Sequence, residues 1–156
     1  MLDNAIILSI QPKFFDLILS GKKTVELRKQ LPKKLQKGVL VLLYVSSPVK
    51  ALAGAFVVED FKKLPLDKLW SVVENRLGMP REEFNKYYEG GSEGVAIFFN
   101  QLWQLQKPFD LEELREDLDV FIPPQSFRYV TTSERRYLVR AANTEQRSRR
   151  RGYDSK

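Results

Sequence analysis

Four polar side chains of complementary type fall within six residues near the N-terminus. Lys23 and Thr24 are followed by Glu26 and Arg28, with one aliphatic residue before each of the last two. Because successive side chains of a β-strand point to opposite faces, a strand here places Thr24, Glu26 and Arg28 on one face. A hydroxyl, a carboxylate and a guanidinium beside the Lys23 ammonium would suit a small polar ligand. The alternative is a solvent-exposed strand whose Glu–Arg pair contributes ~0–1 kcal/mol.

The residues before this stretch predict the elements that position it. Residues 5–10 form an apolar run rich in branched side chains, which favours a buried strand. Pro12 suits the first turn of a helix, and apolar residues recur at helical spacing over 14–18. Gly21 follows the last of these, where a glycine commonly ends a helix. A strand, a helix and a glycine turn therefore lead into a strand over 23–28.

The rest of the chain alternates between strand-like and helix-like periods. The most hydrophobic run, 39–45, predicts a strand buried on both faces. Asp110 is a good residue to cap the start of a short helix. We expect further strands over 49–59, 94–105 and 125–130, two helices within 64–90, and a short helix at 111–115.

Two other places supply polar candidates for a site. Ser46 and Ser47 follow the long buried strand and precede Pro48. Their hydroxyls and backbone amides could hold a phosphate or a base edge, or they could simply stabilise a turn. Gln125 and Ser126 open the last predicted strand, and glutamine can read a base edge with two hydrogen bonds.

Composition narrows the chemistry. The 156 residues suffice for one domain with a substantial core, and they include neither Cys nor His. Disulfides, thiolate nucleophiles, serine–histidine triads and histidine or cysteine zinc sites are thereby excluded. Any catalysis must use Lys, Glu, Asp, Tyr, Ser or Thr, and we expect neither a metal nor another cofactor.

The sequence also bears on location. No apolar run reaches the ~20 residues of a membrane span. The N-terminus lacks the basic region and cleavage site of a secretory signal, so we expect a cytoplasmic protein.

The positive charge is concentrated at the C-terminal end. Residues 134–156 hold eight basic and three acidic side chains, a balance of +5, which leaves +1 of the total +6 for residues 1–133. Such a basic tail indicates a polyanionic partner, most simply nucleic acid. The alternative is a flexible segment that only adds solubility.

The stretch Gly21–Arg28 resembles the G-x-K-x-x-E-x-R signature of the ASCH domains, a branch of the PUA-like β-barrels. The segments 8–12, 44–50 and 123–129 resemble further landmarks of that family, in the same order. The resemblance spans residues 4–130. It implies an α+β fold, a mixed PUA-like barrel of five to six strands with flanking helices over residues 1–130, followed by a flexible tail over 131–156.

The resemblance also implies that these elements converge on one polar cleft. The residues expected around a ligand are Lys23, Thr24, Glu26, Arg28, Ser46, Ser47, Gln125 and Ser126. The two-helix segment would add Tyr87, Tyr88 and Glu89 beside the pocket. Our first hypothesis is a module that binds RNA or a nucleotide in this cleft, with the basic tail adding salt-sensitive affinity.

The second hypothesis is a hydrolase in which Lys23 and Glu26 are catalytic. Some ASCH proteins resemble ribonucleases, and others resemble amidohydrolases of N4-acetylcytidine that use a Lys, a Thr and a Glu. Lys23 matches that Lys, but Glu26 stands where the Thr is expected and Leu77 near the expected Glu. A lysine beside a carboxylate can transfer protons if burial lowers its pKa toward ~7–8. A third hypothesis is a protein-interaction module.

Overall fold

Six strands and four complete helices make up the part of the chain that the computed structural model describes, residues 4–138 (without the side chain of residue 100). In chain order they are β1 (Ile6–Ile10), α1 (Pro12–Leu19), β2 (Val25–Arg28), β3 (Leu40–Val45), β4 (Ala51–Pro65), α2 (Leu66–Val73), α3 (Arg81–Tyr87), β5 (Glu93–Asp110), α4 (Leu111–Asp117) and β6 (Phe127–Tyr129). Residues 132–138 are also helical. Each predicted element is present.

The strands form one mixed sheet in the order β2-β5-β4-β3-β1-β6. β1 runs parallel to β3, and the other pairs are antiparallel. Within residues 4–138 no strand pairing joins the two edges, β2 and β6, so the sheet is open. The α+β class is confirmed, whereas the barrel predicted from the family resemblance is not closed by main-chain hydrogen bonds.

The longest strands, β4 and β5, run well past the predicted limits of 49–59 and 94–105. Their pairing continues from Val58 to Pro65 through a stretch that includes Lys62 and Lys63, both exposed. Side-chain periodicity is weak there because both faces are partly solvated, so the main-chain pairing sets the strand length. Register shifts on either side of Val58 mark where the hairpin bends.

Apolar residues pack on both faces of the sheet. All six residues of β3 are buried, as its hydrophobicity predicts. One core contains Phe15 and the stacked rings of Phe56 and Phe99, whose centroids lie 4.4 Å apart. A second core lies beneath α4, and a third joins β2 and β5 to α2 and α3. The third core receives Val25 and Leu27, so the opposite face of β2 is left for polar side chains.

The beginning of the predicted tail is folded. Thr131 Oγ1 accepts a hydrogen bond from the Glu134 amide at 3.2 Å, and Glu134 Oε1 accepts one from the Thr131 amide at 2.9 Å. This reciprocal arrangement is a capping box, and it starts the helix at 132–138. The T-x-x-E spacing could have predicted it. The rest of the expected flexible tail, 139–156, lies outside the described residues.

None of the helices within residues 4–138 has the length and hydrophobicity of a membrane-spanning segment.

Candidate active site

A cavity of about 760 Å³ lies where β2, the start of α1, the β3–β4 turn, α3 and the segment before β6 meet. Seven of the eight predicted site residues line it: Lys23, Glu26, Arg28, Ser46, Ser47, Gln125 and Ser126. The convergence expected from the family resemblance is therefore present. The buried floor carries the three charged residues, and Ser47, Gln125 and Ser126 lie at the exposed rim.

Thr24 does not line the cavity. Its hydroxyl accepts a hydrogen bond from Arg76 Nε at 2.9 Å, and its amide donates to the Arg76 carbonyl at 2.9 Å. The alternation that predicted Thr24 beside Glu26 holds only inside a strand, and β2 begins one residue later, at Val25. Thr24 instead joins the start of β2 to the segment after α2.

Lys23 lies two residues before the start of β2 and is buried, with 2% of its surface exposed. Its amide donates to the Leu17 carbonyl at the end of α1, and its Nζ lies 5.5 Å from the centroid of the Phe14 ring. Burial lowers the pKa of Lys23; the nearby Glu26 carboxylate opposes this, and the Arg28 guanidinium adds to it. The side chain can therefore release its proton more readily than an ordinary lysine.

Glu26 and Arg28 are buried side by side in the floor of the cavity. Arg28 Nη2 lies 3.5 Å from Glu26 Oε1, and the two residues are 8% and 6% exposed. The alternative of a solvent-exposed Glu–Arg pair is therefore wrong. Glu26 Oε2 and Arg28 Nε are buried without a hydrogen-bond partner. Orphaned buried polar atoms are uncommon and need an explanation such as an unfilled ligand site.

The tip of Arg28 connects the two edges of the open sheet. From edge strand β2 it reaches across, so that Nη2 donates to the Ser9 carbonyl at 2.7 Å. Nη1 donates to Ser126, to its carbonyl at 3.2 Å and its hydroxyl at 3.3 Å. Ser9 belongs to β1, and Ser126 directly precedes β6. A side chain thus bridges the gap where backbone pairing would close a barrel.

α3 contributes to the cavity through residues on one side. Tyr87 and Glu83 line the cavity, whereas Glu89 does not. Tyr88 is buried behind the wall, where its hydroxyl donates to the Arg28 carbonyl at 3.0 Å. Of the three residues expected here, only Tyr87 therefore meets the cavity. Leu77, near the place of the expected glutamate, is fully buried in an apolar core.

The sequence reasoning missed several lining residues. Phe14 and Phe15 both lie in the predicted helix, but only Phe15 is buried in the core, while Phe14 is half-buried against the cavity. Tyr44 was included in the apolar run of β3, and burial raises the pKa of its hydroxyl. A hydroxyl inside an otherwise apolar strand was the available signal. Lys50, in the turn before β4, carried no local signal.

The buried floor of the cavity provides a proton acceptor and a proton donor. Glu26 offers an unpaired carboxylate oxygen, and Lys23 offers an ammonium with a lowered pKa. The side chains of Ser46, Ser47 and Gln125 offer hydrogen-bonding groups at the other side. Within residues 4–138, no three His, Cys, Asp or Glu side chains converge.

The chain is similar to several known proteins. An "ASCH domain-containing ribonuclease" of Zymomonas mobilis is 29% identical over 133 residues, which are 85% of this chain and 88% of that protein. The crystal structure of ASCH from Zymomonas mobilis superimposes with a TM-score of 0.80 at 28% identity, covering 88% of this chain and 95% of that one.

A ribosomal protein of Ureaplasma parvum, "Large ribosomal subunit protein uL22", is 26% identical over 126 residues, which are 80% of this chain but only 39% of that protein. The sequence model of the ASCH domain matches residues 8–115, which is more than half of the chain and includes Lys23 and β2. The protein belongs to the ASCH domain family.

Proposed function

We propose that the protein is a ribonuclease that holds one nucleotide of an RNA chain in the cavity and cleaves the phosphodiester beside it. The observation that carries the proposal is the buried, unpaired Glu26 Oε2 in the cavity floor that also holds Lys23. The similarity over most of both chains to a relative named as a ribonuclease supports the same assignment.

The chemistry needs only groups that the cavity holds. The Glu26 carboxylate takes the proton of the ribose 2′-hydroxyl, and the 2′-oxygen attacks the neighbouring phosphorus. The bond from phosphorus to the 5′-oxygen breaks, and the Lys23 ammonium gives its proton to that oxygen. The products are a 2′,3′-cyclic phosphate and a free 5′-hydroxyl. Exchange with water returns Lys23 and Glu26 to their starting states.

The remaining lining residues bind and orient. Arg28 contacts Glu26, and its positive charge favours the negative charge that develops on the phosphate. Ser46, Ser47, Gln125 and Ser126 supply hydrogen bonds for the sugar, phosphate or base. The basic segment 139–156 would add affinity for the RNA backbone that falls with rising salt.

The experiment is cleavage of a short labelled single-stranded RNA by the wild type, Glu26→Gln and Lys23→Met. We expect the wild type to release a fragment ending in a 2′,3′-cyclic phosphate, detected by mass spectrometry. Each variant should lose at least a hundredfold in rate, within the ~10²–10⁴-fold that a positioned acid or base contributes. An RNA with 2′-O-methyl groups should stay intact. Full activity of Glu26→Gln would contradict the proposal.

Binding without cleavage is the second candidate. The observation that favours it is the engagement of both terminal nitrogens of Arg28 by Ser9 and Ser126, which leaves fewer donors for a phosphate. Saturable RNA binding by the wild type with no product, weakened by Gln125→Ala, would establish a binding module in place of the enzyme. If the wild type binds no RNA, the third hypothesis, a protein-interaction module, would be favoured.

A further inference from the structure

We infer that Tyr87 and Lys29 form a base-stacking subsite at the rim of the cavity, which takes the nucleotide next to the one inside. The inference rests on the proposed function because it assumes an RNA chain in the cavity. It goes beyond it by assigning a second, separate binding position. Both residues line the cavity, and neither belongs to its buried floor.

Tyr87 is the exposed aromatic residue of the cavity wall. It is the last residue of α3 and is 39% exposed, although most aromatic side chains of this protein are buried or half-buried. An aromatic ring that stays partly exposed beside a cavity needs a reason other than core packing. Aromatic faces at such places stack nucleic acid bases, since every base presents a π-face.

Neighbouring groups hold the ring in place. The Tyr87 hydroxyl donates to the Leu27 carbonyl of β2 at 3.4 Å. The Tyr88 ring packs against the Tyr87 ring with the centroids 4.7 Å apart and the planes at 72°. Tyr88 is itself buried and is hydrogen-bonded to the Arg28 carbonyl. A ring that is ordered before binding loses little conformational entropy when a base stacks on it.

Lys29 supplies the charge that such a subsite needs. Its Nζ lies 5.0 Å from the centroid of the Tyr87 ring, and its side chain is exposed. The ammonium lies over the ring, and when a base stacks there it can turn to the phosphate that links two nucleotides. Lys29 directly follows Arg28 in the sequence, so the rim subsite and the buried floor are one residue apart along the chain.

The other two aromatic residues that line the cavity have different surroundings: Tyr44 is buried, and Phe14 lies beside two lysines. Its ring is half-buried, with Lys13 Nζ at 4.8 Å and Lys23 Nζ at 5.5 Å from its centroid. Since Lys23 belongs to the buried floor, we assign Phe14 to the nucleotide inside the cavity. Among the cavity-lining aromatic residues within 4–138, only Tyr87 combines an exposed ring with a lysine that the proposed reaction does not use.

The experiment compares a mononucleotide with a dinucleotide. The probes are adenosine 3′-monophosphate and an adenosine dinucleotide with a 2′-O-methyl group on its first ribose, which prevents cleavage. We expect the wild type to bind the dinucleotide about tenfold more tightly. Tyr87→Leu should remove that gain and keep the mononucleotide affinity, whereas Tyr87→Phe, which keeps the ring, should preserve both.

Lys29→Gln provides an independent variant at an exposed position. It should weaken dinucleotide binding and reduce the magnitude of the slope of log affinity against log salt by about one. The subsite would be wrong if the wild type bound both probes equally, or if Tyr87→Leu or Lys29→Gln kept the full dinucleotide gain. Either result would leave the proposed function standing. A parallel loss for both probes in Tyr87→Leu would also overturn the subsite, because Tyr87 would then belong to the inner site. No binding of either probe by the wild type would overturn the proposed function as well.

Discussion

Two Glu–Arg pairs within residues 4–138, each with a buried glutamate, differ in how completely they are hydrogen-bonded. Glu134 accepts two hydrogen bonds from Arg128, at 2.7 and 2.8 Å, and a third from the Thr131 amide. Glu26 has a single contact with Arg28, at 3.5 Å, and its second oxygen has no partner. The first pair fixes the end of the fold, and the second lines the cavity.

The difference in hydrogen bonding means that the Glu134 carboxylate stabilises the fold, whereas the Glu26 carboxylate does not. A buried carboxylate whose oxygens are bonded by a bidentate arginine and a backbone amide can offset its desolvation cost. When one oxygen of a buried carboxylate has no partner, its desolvation cost is not offset, and the folded state is less stable. We interpret the incomplete pair as the part of the molecule arranged for a ligand, in agreement with the proposed function.

The largest effect on stability is expected at the complete pair. Glu134→Ala leaves Arg128 without its carboxylate and removes the capping box, so we expect a loss of about 2–3 kcal/mol, reduced from the value for a fully buried pair because Arg128 is partly exposed. Urea denaturation measures it. The control is the double variant Arg128→Met/Glu134→Leu, which should recover part of the loss. A loss below about 0.5 kcal/mol, the size of a weak surface interaction, would mean that Glu134 stabilises the fold no more than an exposed pair does.

The same pair should respond to acid. Burial alone would raise the pKa of Glu134, but the hydrogen bonds from Arg128 and Thr131 outweigh it and hold the pKa below 4.5. The stabilisation is therefore fully present above pH 4.5 and is lost as the pH falls through the folded-state pKa. The difference in unfolding free energy between the wild type and Glu134→Gln should shrink over that range. A difference that stays constant with pH would contradict the assignment.

Beside the incomplete pair, removing the buried charge of Lys23 should stabilise the protein. Because burial lowers the pKa of Lys23 below 10.5, its cost is fully present below the folded-state pKa and disappears as the pH rises to 10.5. We expect Lys23→Met to raise the free energy of unfolding by about 0.5–2 kcal/mol at neutral pH. The exposed Lys22→Met is the control and should change little. A destabilised Lys23→Met would contradict the account.

A smaller effect is expected behind the cavity wall. Tyr88→Phe leaves the Arg28 carbonyl without its buried donor and should cost about 1 kcal/mol. Tyr129→Phe is the matched control, because the Tyr129 hydroxyl only accepts a hydrogen bond from the exposed Lys34 amide. Thermal denaturation of both variants measures the contrast. Equal shifts in Tm would mean that Tyr88 does not support the Arg28 backbone.

Local periodicity was sufficient to predict the charged face of β2. Glu26 and Arg28 alternate with two core residues, and a strand turns that spacing into one wall of the cavity. Thr24 was misplaced because the start of β2 depends on pairing with β5, which is distant in sequence. The open sheet was also beyond local reasoning, since closure depends on whether two edge strands meet. The burial of both charges depends on that same long-range packing.

We propose that Glu26 serves function at the expense of stability, whereas Glu134 serves stability alone. The most direct measurement is the free energy of unfolding and the RNA cleavage rate of Glu26→Gln and Glu134→Gln, side by side. We expect Glu26→Gln to be at least as stable as the wild type but at least a hundredfold slower, within the ~10²–10⁴-fold range of a general base. Glu134→Gln should be less stable but equally active when folded. An active Glu26→Gln, or one as destabilised as Glu134→Gln, would contradict the claim.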